Sequence, residues 1–223
     1  MKYKAVLFDL DGTILNTAPA IMNACNHTLL KFGFKTVDES VIKSQLTAGM
    51  SCMLKLGVPK NQWESAGVDT VMKEEFASFY TQNMNEGTCE YEGISELIDK
   101  LAENGIKTAV VTNKRYQMSE KILKEFAFSE KFEFIVSTCD LKRAKPYPDG
   151  ILKALELLGI SSDDTLYVGD HINDVLAAKA ALCDSAAVSW GYGELECGSC
   201  KNWQADFIAH SVPELSAFIF GTM

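Results

Sequence analysis

The chain has 223 residues, 47% of them hydrophobic, which is enough for one substantial core and a smaller second lobe. Its 21 basic and 30 acidic side chains leave a formal net charge of −9, and with no basic stripe this argues against nucleic-acid binding. No apolar run approaches membrane-spanning length and the N-terminus lacks a signal-peptide pattern, so a cytoplasmic protein that does not engage a membrane is expected.

The first element is a short buried strand, Val6–Phe8, inside the run "AVLFDLDGTILNT". Its apolar residues are consecutive, as in a parallel sheet covered on both faces. Asp9 and Asp11 follow at once, then Gly12 and Thr13. Residues two apart in an extended chain point the same way. Two carboxylates so placed repel, which raises one pKa or calls for a cation between them.

From about Thr17 to Asn85 helical patterns succeed one another with no convincing strand. "APAIMNACNHTLLKFGF" puts Ile21, Cys25, Leu29 and Phe32 at helical spacing, and "VDTVMKEEFASFYTQNM" puts Val71, Phe76, Phe79 and Tyr80 on an apolar side. The block reads as an inserted all-helical lobe, residues 16–85, with hinges near Asn16 and in "NEGTCEYEG". Asn16 is expected to cap the next helix. Residues 1–15 and 86–223 form the core.

Beyond the lobe, strands and helices alternate. Strands are expected at Ile106–Asn113, Asp164–Asp170 and Ala186–Gly191, with weaker candidates at Phe132–Ser137 and Ala205–His210. "ISELIDKLAENG" groups Ile94, Leu97, Ile98 and Leu101 on one helical face and closes on Gly105. "SEKILKEFAF", "PDGILKALELLG" (Pro148 at its start, Gly159 at its end) and "NDVLAAKAAL" supply further helices. The fold class is therefore α/β, a mostly parallel Rossmann-like sheet with the helical lobe inserted.

In open α/β sheets ligands bind beyond the carboxyl ends of the strands. The first strand leads to Asp9, Asp11, Gly12 and Thr13; the second to Thr112, Asn113 and Lys114; the third to Gly169, Asp170, His171, Asn173 and Asp174; "RAKPYPD" adds Lys145. Asp9, Asp170 and Asp174 can hold a hard cation such as Mg2+. Lys145 can serve as a point charge for phosphate. A threonine hydroxyl followed by backbone N–H groups can cradle phosphate oxygens. One carboxylate can attack phosphorus and its neighbour can shuttle the proton. Taken singly, Thr112-Asn113 reads as a helix cap, Lys145 as a solvated charge, and Asp174 as a first-turn acid. His171 is expected to be exposed and without a role.

Together these stretches resemble the haloacid dehalogenase superfamily in its phosphatase branch. Asp9-Leu10-Asp11-Gly12-Thr13 resembles its first motif, Thr112 closing "AVVT" its second, Lys145 in "AKP" its third and "GDHIND" its fourth. The resemblance implies Asp9 as nucleophile and Mg2+ ligand, and Asp11 as general acid/base that also offers its backbone carbonyl to the metal. It implies Thr112 and Asn113 as phosphoryl binders, Lys145 as the residue that orients the nucleophile and binds substrate, Asp170 as a Mg2+ ligand and Asp174 as support for that metal shell. The helical lobe becomes a mobile cap that excludes water. "VVTNK" and "VSWGYG" resemble the phosphoglycolate phosphatase group and its pyrophosphatase relatives, which makes phosphoglycolate the first substrate expected. Trp190 in the latter can equally be a packed strand-end residue. "LTAGMSCMLKLG" resembles the substrate-facing loop and helix of related caps, with Gly49 at its turn. The expected partner is a small phosphate ester, in a monomer or homodimer. The alternatives are a pyrophosphatase, a sugar phosphomutase of the β-phosphoglucomutase kind, or a non-catalytic binding protein on the same fold.

Seven cysteines at scattered spacing read as reduced thiols. Cys197 and Cys200 form a C-x-x-C, but a structural zinc needs four ligands and only His210 offers another candidate, so the segment reads as a Gly-rich loop.

Overall fold

A computed structural model describes residues 2–222. The described chain divides into two compact units, Thr17–Cys89 and the remainder. In chain order the elements begin with β1 (Ala5–Phe8), β2 (Leu15–Asn16) and helices α1 (Ala18–Lys31), α2 (Glu39–Lys43), α3 (Met50–Gly57) and α4 (Val71–Asn83). They continue with β3 (Cys89–Glu90), α5 (Ile94–Glu103), β4 (Lys107–Thr112), α6 (Tyr116–Leu123), β5 (Ile135–Ser137) and α7 (Asp149–Leu158). The last are β6 (Thr165–Gly169), α8 (Ile172–Ala180), β7 (Asp184–Val188), α9 (Gly193–Cys197), β8 (Phe207–Ala209) and α10 (Val212–Phe220).

The larger unit is built on a six-stranded sheet in the order β5-β4-β1-β6-β7-β8, and every pairing is parallel. β1 lies between β4 and β6, with Phe8 opposite both Val110 and Val168. All four of its residues are buried, which is why its sequence shows no alternation. On one face Leu7, Val111 and Tyr167 pack with Ile151 and Ala154 of α7 and Ala177 and Ala178 of α8. α5 and α10 pack on one another and on β4 and β8. The two weaker strand candidates are real, shorter strands, β5 and β8. β7 begins at Asp184, two residues before the expected start. α6 ends at Leu123, and the remainder of "SEKILKEFAF" passes into a 3-10 turn at Ala127–Lys131.

The smaller unit holds α1 to α4 and a 3-10 turn at Lys60–Gln62. Its core joins Cys25 and Leu29 of α1, Met53 and Leu54 of α3, and Met72, Phe76 and Tyr80 of α4. The α4 stripe thus runs 72–76–80. Val71, expected inside, is 52% exposed, because its side chain lies over the left-handed turn at Gly67. Phe79 is half-buried and stacks on His27 with ring centroids 3.7 Å apart. Ile21 and Phe32 are also only half-buried. Gly49 does mark a turn, at φ 92°, immediately before α3.

Asn16 does not cap α1: it lies in β2 and its Oδ1 accepts a hydrogen bond from the Tyr192 hydroxyl at 3.0 Å. No disulfide joins the seven cysteines. Among the described residues, no helix is long and apolar enough to cross a membrane.

Candidate active site

Because β4, β1 and β6 are adjacent and parallel, the residues after each emerge at one sheet edge. Asp9 leaves β1 with its backbone N–H on the Val168 carbonyl, 2.9 Å away. The chain then turns sharply: the Leu10 carbonyl accepts from Thr13, Ile14 and Leu15. Gly12 makes this possible at φ 81°, and a Cβ there would overlap the Asp170 carboxylate.

β1 ends at Phe8, so Asp9 and Asp11 stand in this turn rather than in an extended strand. The charge of Asp11 still adds to the rise in the Asp9 pKa, as expected for neighbouring carboxylates. Each aspartate also meets its own lysine. Lys145 Nζ lies 2.8 Å from Asp9 Oδ1, whereas Lys114 Nζ lies 3.0 and 3.1 Å from the two oxygens of Asp11.

Lys145 is 8% exposed. Its ammonium donates to Asp174 Oδ1 at 2.6 Å, the Tyr167 hydroxyl at 2.9 Å and the Val111 carbonyl at 3.3 Å. Those three acceptors match its three protons. The buried Asp9 Oδ1, 2.8 Å away, is a fourth oxygen neighbour of the same ammonium and is held by its charge. Burial raises the Asp9 pKa to about 6; Lys145 works against this, and Asp174 reinforces it. Burial alone would lower the Lys145 pKa, but Asp174 and Asp9 hold it well above its ordinary value.

Asp170, at the end of β6, is 2% exposed. Its Oδ1 accepts from the Thr13 hydroxyl at 3.1 Å and its Oδ2 from the Tyr192 N–H at 2.7 Å. Burial, then the charges of Asp174 and Asp9, push its pKa up to about 8. Gly191 allows this packing, since a Cβ there would overlap the Asp170 side chain. Asp174 spends Oδ2 on the His171 N–H at 3.0 Å, closing the first turn of α8.

Ligating oxygens of Asp9, Asp170 and Asp174 lie within 4.8 Å of one another. The donor set is all carboxylate, the three groups crowd one another away from water, and burial and mutual repulsion keep one carboxyl from ionising readily. These features fit a hard divalent cation.

Thr112 and Asn113 close the same edge. Thr112 Oγ1 accepts from the Lys114 N–H at 3.2 Å. The Asn113 side chain clamps the Lys145 backbone, donating to its carbonyl at 3.2 Å and accepting from its N–H at 3.0 Å. His171, expected to be exposed, is 9% exposed. It caps α8 by accepting the Asn173 N–H on Nδ1 at 3.0 Å, and Nε2 lies 3.1 Å from Cys197 Sγ. Burial lowers its pKa. Cys200 is buried against Val175, Ala187 and Trp203. Trp190 donates to the Thr13 carbonyl at 3.1 Å.

Sequence reasoning placed Lys114 at this edge without giving it a role, and missed Tyr167 and Tyr192. The lysine following Thr112-Asn113 was a signal within reach. Nothing marks Tyr167 as more than a strand residue.

A parallel sheet with this motif order at its carboxyl edge defines a class, and comparison agrees: the chain belongs to the haloacid dehalogenase-like hydrolase family, whose sequence model matches residues 6–188. A putative pyrophosphatase PpaX of Caldanaerobacter subterraneus subsp. tengcongensis is 35% identical over 99% of this chain and 96% of its own length. An N-acetylmuramic acid 6-phosphate phosphatase of Pseudomonas putida is 29% identical over 98% of this chain and 97% of its own. A phosphoglycolate phosphatase of Xanthomonas campestris pv. campestris is 29% identical over 95% and 94%. The crystal structure of a predicted phosphoglycolate phosphatase from Haemophilus somnus superposes with a TM-score of 0.85 at 22% identity, covering 100% of this chain and 99% of its own, and so shares the fold.

Proposed function

We propose that this hydrolase is a Mg2+-dependent phosphatase that cleaves a small phosphomonoester through an aspartyl-phosphate on Asp9, with phosphoglycolate the first candidate substrate. The observation that carries the reading is Asp9 Oδ1: buried, 2.8 Å from the Lys145 ammonium and beside the Asp170 and Asp174 carboxylates. A carboxylate oriented by an ammonium and withdrawn from water is placed to act as a nucleophile.

In the first step an Asp9 oxygen attacks phosphorus, the P–O ester bond breaks, and Asp11 gives its proton to the departing alcohol oxygen. In the second, Asp11 takes a proton from water, the oxygen attacks the aspartyl-phosphate, and inorganic phosphate leaves with Asp9 restored. Lys145 orients Asp9 and offsets charge on the transferring group. Thr112 and Asn113 bind the phosphoryl oxygens at the end of β4. Asp9, Asp170 and the Asp11 backbone carbonyl would hold Mg2+, supported by Asp174, and the ion would supply positive charge to the phosphoryl oxygens. The Thr17–Cys89 unit acts as the cap that excludes water and selects the leaving group.

The relatives' names support a phosphomonoester reading and disagree on the substrate. The deciding experiment is phosphate release with Mg2+ across phosphoglycolate, N-acetylmuramic acid 6-phosphate, pyrophosphate, hexose phosphates and an aryl phosphate. Preference for phosphoglycolate supports the full proposal. Preference for another ester or for pyrophosphate keeps the mechanism and replaces the substrate. Asp9→Asn should abolish turnover; retained turnover would overturn the nucleophile assignment.

A further inference from the structure

Asp9 and Asp11 each meet a lysine at this sheet edge, and only the Asp9–Lys145 pairing has a role in the chemistry described above. We propose that Lys114 is a positioning residue for Asp11, holding its carboxylate in the orientation from which it exchanges a proton with the leaving group and with water. The inference rests on the reading of Asp11 as that proton carrier.

The geometry is specific. Lys114 Nζ meets both Asp11 oxygens, at 3.0 and 3.1 Å. Its side chain is 7% exposed and that of Asp11 is 25% exposed, so the pair is largely withdrawn from water and weakly screened. Lys114 is itself held in place. Its N–H donates to Thr112 Oγ1, and its neighbour Asn113 is clamped to the Lys145 backbone. β4 carries this turn beside β1, because the two strands pair in parallel up to Phe8 and Val110. Asp11 lies in a tight turn next to the left-handed Gly12. Lys114 reaches the Asp11 carboxylate from the neighbouring strand end.

The arrangement also divides the work between the two lysines. Lys145 is occupied by Asp9, Asp174, Tyr167 and Val111, and it is Lys114 that meets Asp11.

The test is a double-mutant cycle between Lys114→Met and Asp11→Asn, read by single-turnover phosphorylation with an activated aryl phosphate and by steady-state hydrolysis of an alkyl phosphate. With Asp11 present, Lys114→Met should slow alkyl-ester turnover about ten- to hundred-fold, the scale of misplacing a general acid. In the Asp11→Asn background the same change should cost less than about three-fold, because coupled residues do not add. Lys114→Arg should restore most of the activity, since it can also engage both oxygens. Equal costs in the two backgrounds, or no cost in the wild type, would overturn the proposal. A crystal structure of Lys114→Met reads the same point without catalysis: the proposal requires Asp11 to leave its present orientation, and an unmoved carboxylate refutes it. An inactive wild type would instead refute the phosphatase reading, leaving the crystallographic arm to judge Lys114.

Discussion

The raised pKa of Asp170 makes stability depend on pH in an unusual direction. The folded protein holds this carboxyl near 8, against an ordinary value of 3.8. Between those limits the native state keeps a proton that the unfolded chain has released. Stability therefore declines as pH rises from 3.8, and the loss is complete once pH passes the folded value. The slope due to this one group is about 1.4 kcal/mol per pH unit, and the full interval sets an upper limit of about 6 kcal/mol. Salt-bridged carboxylates such as Glu75 and Asp184 have lowered values and act at lower pH with the opposite sign. Asp170→Asn keeps the shape and removes the titration. Urea unfolding, followed by tryptophan fluorescence in chelator, should show wild type losing stability relative to Asp170→Asn across the interval from about pH 4 to 8. Mg2+ that binds the ionised native site should abolish much of that loss, with its stabilising effect growing with pH. A wild-type-minus-variant difference that stays flat with pH, or Mg2+ stabilisation equal at about pH 5 and 8, would refute the reasoning.

Two substitutions probe the walls of the site. Gly191→Ala places a methyl group into Asp170; overpacking of this kind costs about 1–3 kcal/mol, and Mg2+ affinity by calorimetry should fall with it. Tyr167→Phe leaves the Val111 carbonyl without its 2.7 Å donor and frees one proton of Lys145. A loss of about 1–3 kcal/mol by urea unfolding is expected. The freed proton can turn to Asp9 Oδ1, so single-turnover phosphorylation should slow as well, and unchanged phosphorylation would show that the Lys145 contacts do not protect the nucleophile.

Legibility followed the range of the interactions. β1, β4 and β6 were readable because burial on both faces writes itself as consecutive apolar residues. The stripe of α5 and the glycine closing α7 are local signals of the same kind. α4 was read one position out of phase at Val71 because the turn at Gly67 rather than the helix period disposes of that side chain. His171 looked exposed because it follows a strand end. It is buried because its ring caps α8 and Cys197, 26 residues away, packs against it.

The sequence by itself determined the parallel α/β core, the helical insertion and the roster of carboxylates and lysine at the strand ends. Strand hydrophobicity and fixed motif spacing are local properties, and they bring Asp9, Asp170, Asp174 and Lys145 to one edge in any fold of this topology. Only the tertiary structure decided the partnerships: Lys145 with Asp9 and Asp174, Lys114 with Asp11, and Asp170 enclosed by Thr13, Tyr192 and Gly191. Those pairings depend on the angle at which the chain leaves each strand and on contacts such as Lys145 with Asp174 across 29 residues and Thr13 with Asp170 across 157. A carboxylate's charge state follows from its enclosure, and enclosure is a property of the packed molecule.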